Sequence, residues 1–171
     1  MNFDLQFGAH VAEALRNDTP IVALETTVVT HGMAYPSNLE TALAMENAVK
    51  EAGACPATLG IVNGQVTVGL SEEQLKDFAT SERGSIAKCS RRDFAPLLGK
   101  KQSGSLTVAG TMIVAAAATI DIFATGGIGG VHRGHPFDVS ADLTELGKTP
   151  VAVVCAGAKS ILDLPLTLEV L

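Results

Sequence analysis

Tryptophan is absent from this chain and tyrosine occurs once, so aromatic residues make up only 4% of its 171 residues. Its core must be filled with small aliphatic side chains. Cysteine is scarce as well: Cys55, Cys89 and Cys155 are odd in number, widely spaced and without a Cys-x-x-Cys pair. That pattern signals neither a disulfide framework nor a zinc site, and reads as small buried hydrophobes. Positive charge is in deficit, with 12 Lys and Arg against 18 Asp and Glu, a net charge of −6 and a pI near 5.1. A nucleic-acid polymer would need a basic face that this balance does not supply, whereas a phosphorylated small molecule needs only one local cluster of donors. No apolar run is long enough to span a bilayer. The longest, Val108 to Ile120, is interrupted by Gly110 and Thr111, which argues against a membrane location. The first residues, with Asp4, Arg16 and Asp18, lack the layout of a secretory signal, so a cytoplasmic location is expected. Repeats, low-complexity tracts and linkers are also missing, and residues 1–171 read as a single α/β domain.

What the chain does contain is 47% hydrophobic residues and a mean hydropathy of +0.31, enough for a sizeable core. Its most distinctive stretch is Phe123-Ala-Thr-Gly-Gly-Ile-Gly-Gly-Val-His-Arg-Gly-His-Pro-Phe-Asp-Val-Ser-Ala-Asp142. An apolar run there ends in four glycines within five residues, followed by a polar loop. Such glycines let backbone N–H groups approach an anion closely. The stretch is not a dinucleotide fingerprint, because the third glycine position after Gly127-x-Gly129 is His132 and no helix is expected to follow.

The remaining elements alternate. Phe3 to Asn17 reads as an amphipathic helix, and Ile21 to Leu24 as a strand buried on both faces. Ser37-Asn-Leu-Glu40 has the form of a capping box opening a helix to about Glu51, closed by Gly53. Asn63-Gly64 between two alternating runs predicts a hairpin over Thr58 to Leu70. A second capping box, Ser71 to Gln74, starts a helix to about Ser81. A strand Ser85–Lys88, a short helix Phe94–Leu98 and a loop Gly99–Gly104 follow. Ser105 to Thr119 is then a helix apolar on every side, placed deep in the fold or against another subunit. A strand precedes the glycine loop, Leu143 to Lys148 is a brief helix, and Val151 to Cys155 is another buried strand. The alternation implies a central mixed, mostly parallel sheet flanked by helices.

Glu25, Lys88, Gly126 and Lys159 all fall at or just after the C-terminal ends of apolar, strand-like runs, the edge where open α/β sheets bind ligands. Glu25 is either an exposed strand-end charge or a general acid or base. Lys159 is either a solvated side chain or, near a helix start, a nucleophile favoured by the dipole. Lys88, Arg91 and Arg92 form a plain charge cluster or hold a phosphate, with Arg92 and Asp93 a local ion pair as another reading. His132, His135, Asp138 and Asp142 offer ligand types for a divalent metal at no zinc spacing, so a hard ion such as Mn²⁺ or Mg²⁺, held by one carboxylate and waters, suits them better.

Several motifs in one order carry a family resemblance: Ala23-Leu-Glu-Thr-Thr with His31-Gly-Met, Lys88-Cys-Ser-Arg-Arg-Asp93, Thr107-Val-Ala, Ala124 to Gly134, Phe137-Asp-Val-Ser-Ala-Asp-Leu143, and Val154-Cys-Ala-Gly-Ala-Lys-Ser-Ile-Leu-Asp163. Over nearly its whole length the chain closely resembles the pseudouridine-5′-phosphate glycosidases of the indigoidine synthase A-like family. The resemblance implies reversible cleavage of the C–C glycosidic bond of pseudouridine 5′-phosphate to uracil and ribose 5-phosphate. It implies Lys159 as the nucleophile that opens the ribose as an imine and Glu25 as the proton donor. Lys88, Val108, Ser140-Ala141-Asp142 and, in the same loop, His132 would serve the substrate, His132 by contact or proton transfer, and Asp138 would hold one Mn²⁺. A homo-oligomer, a trimer, is implied too. Family members are longer, so the resemblance is to an N-terminal part, incomplete at the C-terminus, and low or no activity is expected of the isolated chain. Two other readings are another Schiff-base sugar-phosphate lyase and an inactive remnant that binds phosphorylated ligands.

Overall fold

The computed structural model describes residues 3–82 and 84–171. In chain order its elements are β1 (Leu5–Phe7), α1 (Ala9–Arg16), β2 (Ile21–Leu24), α2 (Ser37–Glu51), β3 (Cys55–Val62), β4 (Gln65–Val68), α3 (Glu72–Thr80), β5 (Ala87–Cys89), α4 (Phe94–Gly99), β6 (Gly104–Leu106), α5 (Val108–Ala117), β7 (Ile122–Thr125), β8 (Val131–His132), β9 (His135–Val139), α6 (Ala141–Leu146), β10 (Ala152–Cys155), β11 (Leu162–Asp163) and α7 (Leu164–Val170).

The apolar runs pair as parallel neighbours: β2 lies between β3 and β7, and β10 lies beside β7. Farther out, β3 turns back through Asn63-Gly64 into antiparallel β4, with both turn residues at positive φ as a tight hairpin turn requires. β1 extends that side in parallel with β4. β6 pairs antiparallel with the second half of β3 and parallel with β5. The result is a mixed, mostly parallel sheet with order β1-β4-β3-β2-β7-β10, flanked by helices.

The all-apolar helix is α5, and every residue from Val108 to Ala115 is buried. It is covered by the chain's own sheet and by α6, so its composition does not call for a neighbouring subunit. A Cβ on Gly110 would lie 2.6 Å from the carbonyl oxygen of Cys89, which shows how closely α5 approaches β5. Beside it, burial pushes the Cys89 thiol up to about 12, so this cysteine is packing, not a nucleophile.

Local chemistry moves several sequence expectations. Phe3 to Asn17 is not one helix: Leu5, Gln6 and Phe7 are taken up by pairing with Val66, Thr67 and Val68, and the helix starts only after Gly8. The Ser71–Gln74 capping box forms, but the one at Ser37 does not, because Pro36 occupies the cap position and Ser37 is already helical. The strand expected over Ser85–Lys88 runs over Ala87–Cys89. Residues Gly104–Leu106 pair as β6, so the buried helix begins after Thr107, whose hydroxyl accepts from the Gly110 amide at 3.1 Å. Part of the expected loop after Gly130 is an antiparallel hairpin, β8–β9, to which β11 adds.

Arg91 does not point to a ligand. Its guanidinium donates two hydrogen bonds, at 2.8 and 2.6 Å, to the buried carboxylate of Glu145 on α6. Burial alone would raise the Glu145 carboxyl. The hydrogen bonds from Arg91 and Thr149 and the charges of Arg91 and Lys148 outweigh it and hold the group below its ordinary value of 4.5. The pair therefore stabilises the fold fully above that pH, and the contribution fades as pH falls through the lowered value. Replacing Arg91 by alanine is expected to cost about 2 kcal/mol at neutral pH, because it strands a buried carboxylate. Since burial then dominates, the variant should recover part of that deficit toward acid pH, and melting temperatures of both proteins from pH 7 to 4 read this convergence.

Candidate active site

Strand order reverses its sense of travel at β2 and β7. From β2 the chain crosses through α2 to β3 on one side, and from β7 through α6 to β10 on the other. Beyond the C-terminal ends of such strands lies the switch-point crevice where open α/β sheets place ligands. Here it is a cavity of about 470 Å³ whose lining includes Glu25, Thr27, His31, Lys88, Gly126, Gly127 and Lys159. Four segments remote in sequence meet there.

Glu25 directly follows β2 and is buried. Hydroxyls of Thr27 and Thr125 donate to its two carboxylate oxygens, one each. This fixes the plane of the carboxyl group beside the cavity. Thr26 binds the neighbouring strands instead: its hydroxyl donates to the Leu59 carbonyl and accepts from the Leu106 amide, both at 2.8 Å. The next residues, Val28–Gly32, form a π-helical turn. Buried Asn38 anchors that turn, donating to the carbonyls of Val29 (2.8 Å) and Ala79 (2.9 Å). The turn delivers His31 to the cavity wall, with its Nδ1 2.6 Å from the Thr30 hydroxyl and 3.4 Å from that of Ser105.

Lys159 does not begin a helix, since the next one, α7, starts at Leu164, and the dipole argument for its reactivity falls. Its position comes from the glycine loop. The Ile128 amide donates to the Gly157 carbonyl at 3.0 Å, and the Lys159 amide donates to the Ile128 carbonyl at 3.1 Å. Arg133 holds the far side of this turn, donating to the carbonyls of Ser160 (2.8 Å) and Leu162 (2.9 Å). The glycine loop and the lysine turn thus brace each other.

The other candidates lie outside this cavity lining. Val108 is buried in the first turn of α5. Ser140 caps α6 through the Asp142 amide at 3.2 Å, and Ala141 is the first residue of that helix. The Asp142 carboxylate is occupied by two backbone amides, those of Ala109 and Gly129, each at 2.9 Å. It ties the glycine loop to the start of α5, where a negative charge is favoured. Asp138 and His132 face each other on the hairpin, carboxylate to Nδ1 at 3.1 Å, with Asp138 67% exposed. Among the described residues no three His, Cys, Asp or Glu converge as a metal cage. One carboxylate and one imidazole suit only an ion that keeps most of its waters.

His31, Thr27 and Thr125 are site residues that the sequence alone does not single out. The two threonines had a signal, one sitting two residues after Glu25 and the other ending the adjacent apolar run. For His31 the signal was weaker: it lies in the loop after β2, and that loop had to return to the same sheet edge. A larger hollow, of about 630 Å³, includes His10, Glu13, Glu46, Lys50 and Cys55 in its lining at the opposite sheet edge. One of its carboxylates, Glu46, already accepts from Thr58 at 2.6 Å and pairs with Lys50 at 3.8 Å.

Comparison with known proteins agrees with this architecture. The profile of the family described as Indigoidine synthase A like protein matches residues 10–171. Pseudouridine-5′-phosphate glycosidase 2 of Photorhabdus laumondii is 55% identical over 98% of this chain and 54% of its own length. Pseudouridine-5′-phosphate glycosidase of Escherichia coli is 52% identical with the same coverage, 98% and 54%. A crystal structure of a prealnumycin C-glycosynthase in complex with ribulose 5-phosphate superposes with a TM-score of 0.86 at 43% identity, over 97% of this chain and 54% of that one. An indigoidine synthase A-like protein of Thermotoga maritima gives a TM-score of 0.87 at 30% identity, with 98% and 54% covered. The chain thus spans about half the length of the curated relatives it matches, and it belongs to the indigoidine synthase A-like family.

Proposed function

We propose that this chain carries the catalytic groups of a pseudouridine-5′-phosphate glycosidase, which cleaves the C–C glycosidic bond to give uracil and ribose 5-phosphate. The supporting observation is one cavity at the strand switch point that joins a buried carboxylate, oriented by two hydroxyls, to a lysine braced by a glycine loop.

A C-glycoside has no leaving-group oxygen to protonate, so hydrolysis by a pair of carboxylates lacks its handle. An amine nucleophile supplies another route. Lys159 attacks C1′ and the C1′–O4′ bond breaks, O4′ taking up a proton, so the ring opens to an amine adduct. Once C5 of the uracil is protonated, the nitrogen lone pair forms the imine as the C1′–C5 bond breaks and uracil leaves, and water then hydrolyses the imine to ribose 5-phosphate. Glu25 moves the protons that this requires, delivering one to the departing base, and its two threonine partners keep it in place throughout. Lys88 anchors the phosphate, and the close approach that the glycine loop allows lets remote binding energy support the difficult step. Val108 and Ser140-Ala141-Asp142 stand behind this cavity and act on substrate through the glycine loop and the start of α5, which Asp142 ties together.

Mn²⁺ would be held by Asp138 beside His132 and by waters, and it would supply orientation and polarisation. Replacing Asp138 by asparagine is expected to weaken Mn²⁺ binding about tenfold or more while leaving the melting temperature unchanged, read by calorimetry and thermal unfolding. We further propose a cytoplasmic homotrimer. The family resemblance supports it, together with Phe137, 99% exposed on β9, and sedimentation of the purified chain checks the number. Among the described residues no helix is long and apolar enough to cross a membrane.

The test begins with imine formation, which needs only the cavity and Lys159. Borohydride treatment of the chain with ribose 5-phosphate is expected to label Lys159, and incubation with pseudouridine 5′-phosphate and Mn²⁺ to release uracil at a low rate, since the chain spans about half the length of its relatives. Equal labelling by other aldose phosphates without uracil release would point to a different Schiff-base lyase. Phosphate-dependent binding without labelling would point to a non-catalytic binding protein.

A further inference from the structure

The two faces of the sheet are unequally covered. α5 packs against β2, β3 and β7 and in turn against α6, which buries Phe123 on β7. On the other face α2 lies over β2 and β3, and beside it an apolar groove of about 490 Å³ stays open. Its floor is formed by Ile122 and Ala124 of β7 and Val154 of β10, and Ile122 is 45% and Val154 62% exposed. Register places Ala124 directly beside Val154, so these side chains share one face. The wall is α2, through Met45, Ala48, Val49 and Ala52. That spacing is the i, i+3, i+4, i+7 stripe of a helix that packs against another helix. The buried residues of α2 are Asn38 and Ala42, at its first turns, and the stripe itself is half-buried or exposed.

We infer that this groove is the seat of an α-helix lying alongside α2, and that the helix comes from the second half of the family fold. The argument for that occupant is length. The relatives match over 98% of this chain with only 54% of their own residues, and the two structural neighbours likewise leave nearly half of themselves unmatched. β10 borders the groove and is itself the end of the strand order, an edge that natural sheets cover or pair. The sheet edge and the stripe mark the face, and the unmatched half of the relatives supplies the occupant. The inference rests on family membership and not on the proposed reaction, so either can fail without the other.

The experiment joins the unmatched C-terminal part of the Escherichia coli relative to this chain after Leu171 and compares the chimera with the 171-residue chain. Binding of an apolar-surface dye should fall severalfold in the chimera, and amide exchange at Ala48, Val49 and Val154 should slow by about tenfold or more. Val154→Asp in the chimera should restore both signals, while in the isolated chain it should leave the melting temperature unchanged and lower dye binding. A folded chimera whose dye binding and exchange match those of the isolated chain would overturn the inference. So would an isolated chain that sediments as an oligomer and that Val154→Asp splits to monomers, because a second copy would then be the occupant. If the chimera does not accumulate in soluble form, that sedimentation pair decides alone, and an assembly state that the substitution leaves unchanged supports an uncovered seat.

Discussion

Replacing Lys159 by alanine is expected to abolish the borohydride-trapped adduct with ribose 5-phosphate and to lower uracil release from pseudouridine 5′-phosphate by at least about 10³-fold. The amine nitrogen is the atom that bonds to C1′, and the other lysine of the cavity, Lys88, is assigned to the phosphate. Lys88 arrives from β5, on the other arm of the sheet. Arginine at position 159 should fail as completely as alanine, since a guanidinium stays charged and cannot form the imine. The fold should tolerate both changes, because the structural work of this turn is done by the backbone of residues 157–162. Mass spectrometry of trapped protein, uracil release and a melting curve measure the three quantities, and an adduct that survives Lys159→Ala would move the nucleophile elsewhere.

Glu25→Gln should separate proton transfer from imine formation. Uracil release is expected to fall by about 10²- to 10⁴-fold, the usual weight of a positioned general acid. The adduct with ribose 5-phosphate should persist, because that sugar reaches the lysine in its open aldehyde form. Glutamine keeps the volume and still offers an oxygen to one threonine hydroxyl, so the site should remain assembled. Loss of trapping as well would mean that Glu25 acts on Lys159 itself, and unchanged turnover would remove it from the mechanism.

Much of this arrangement could be read from residues. Ile21–Leu24 followed by Glu25, and Ala152–Cys155 a few residues before Lys159, are apolar runs ending in chemistry, and parallel sheets put such ends on one edge. What could not be read was pairing. Leu5–Phe7 looks helical in isolation and becomes a strand because β4 offers it an unpaired edge. Gly104–Leu106 likewise lay at a boundary between a polar loop and an apolar helix until β3 and β5 claimed it. Arg91 had the composition of a phosphate ligand, but its partner Glu145 lies 54 residues away, beyond any local pattern. Asp142 shows the same limit: the sequence places it among polar loop residues, whereas the fold has two amides waiting for it.

The strand order also acts as a ruler. β2 and β10 are both paired to β7, so the segments carrying Glu25 and Lys159 stand two strand spacings apart, about 10 Å from chain to chain. Between them Gly126 directly follows β7, and an added Cβ there would meet no atom of the described residues within 4 Å beyond its chain neighbours, while the φ angle lies outside the left-handed region. Neither packing nor backbone geometry demands a glycine there. The width of the gap between acid and amine is therefore set at one position where the fold leaves room for a side chain.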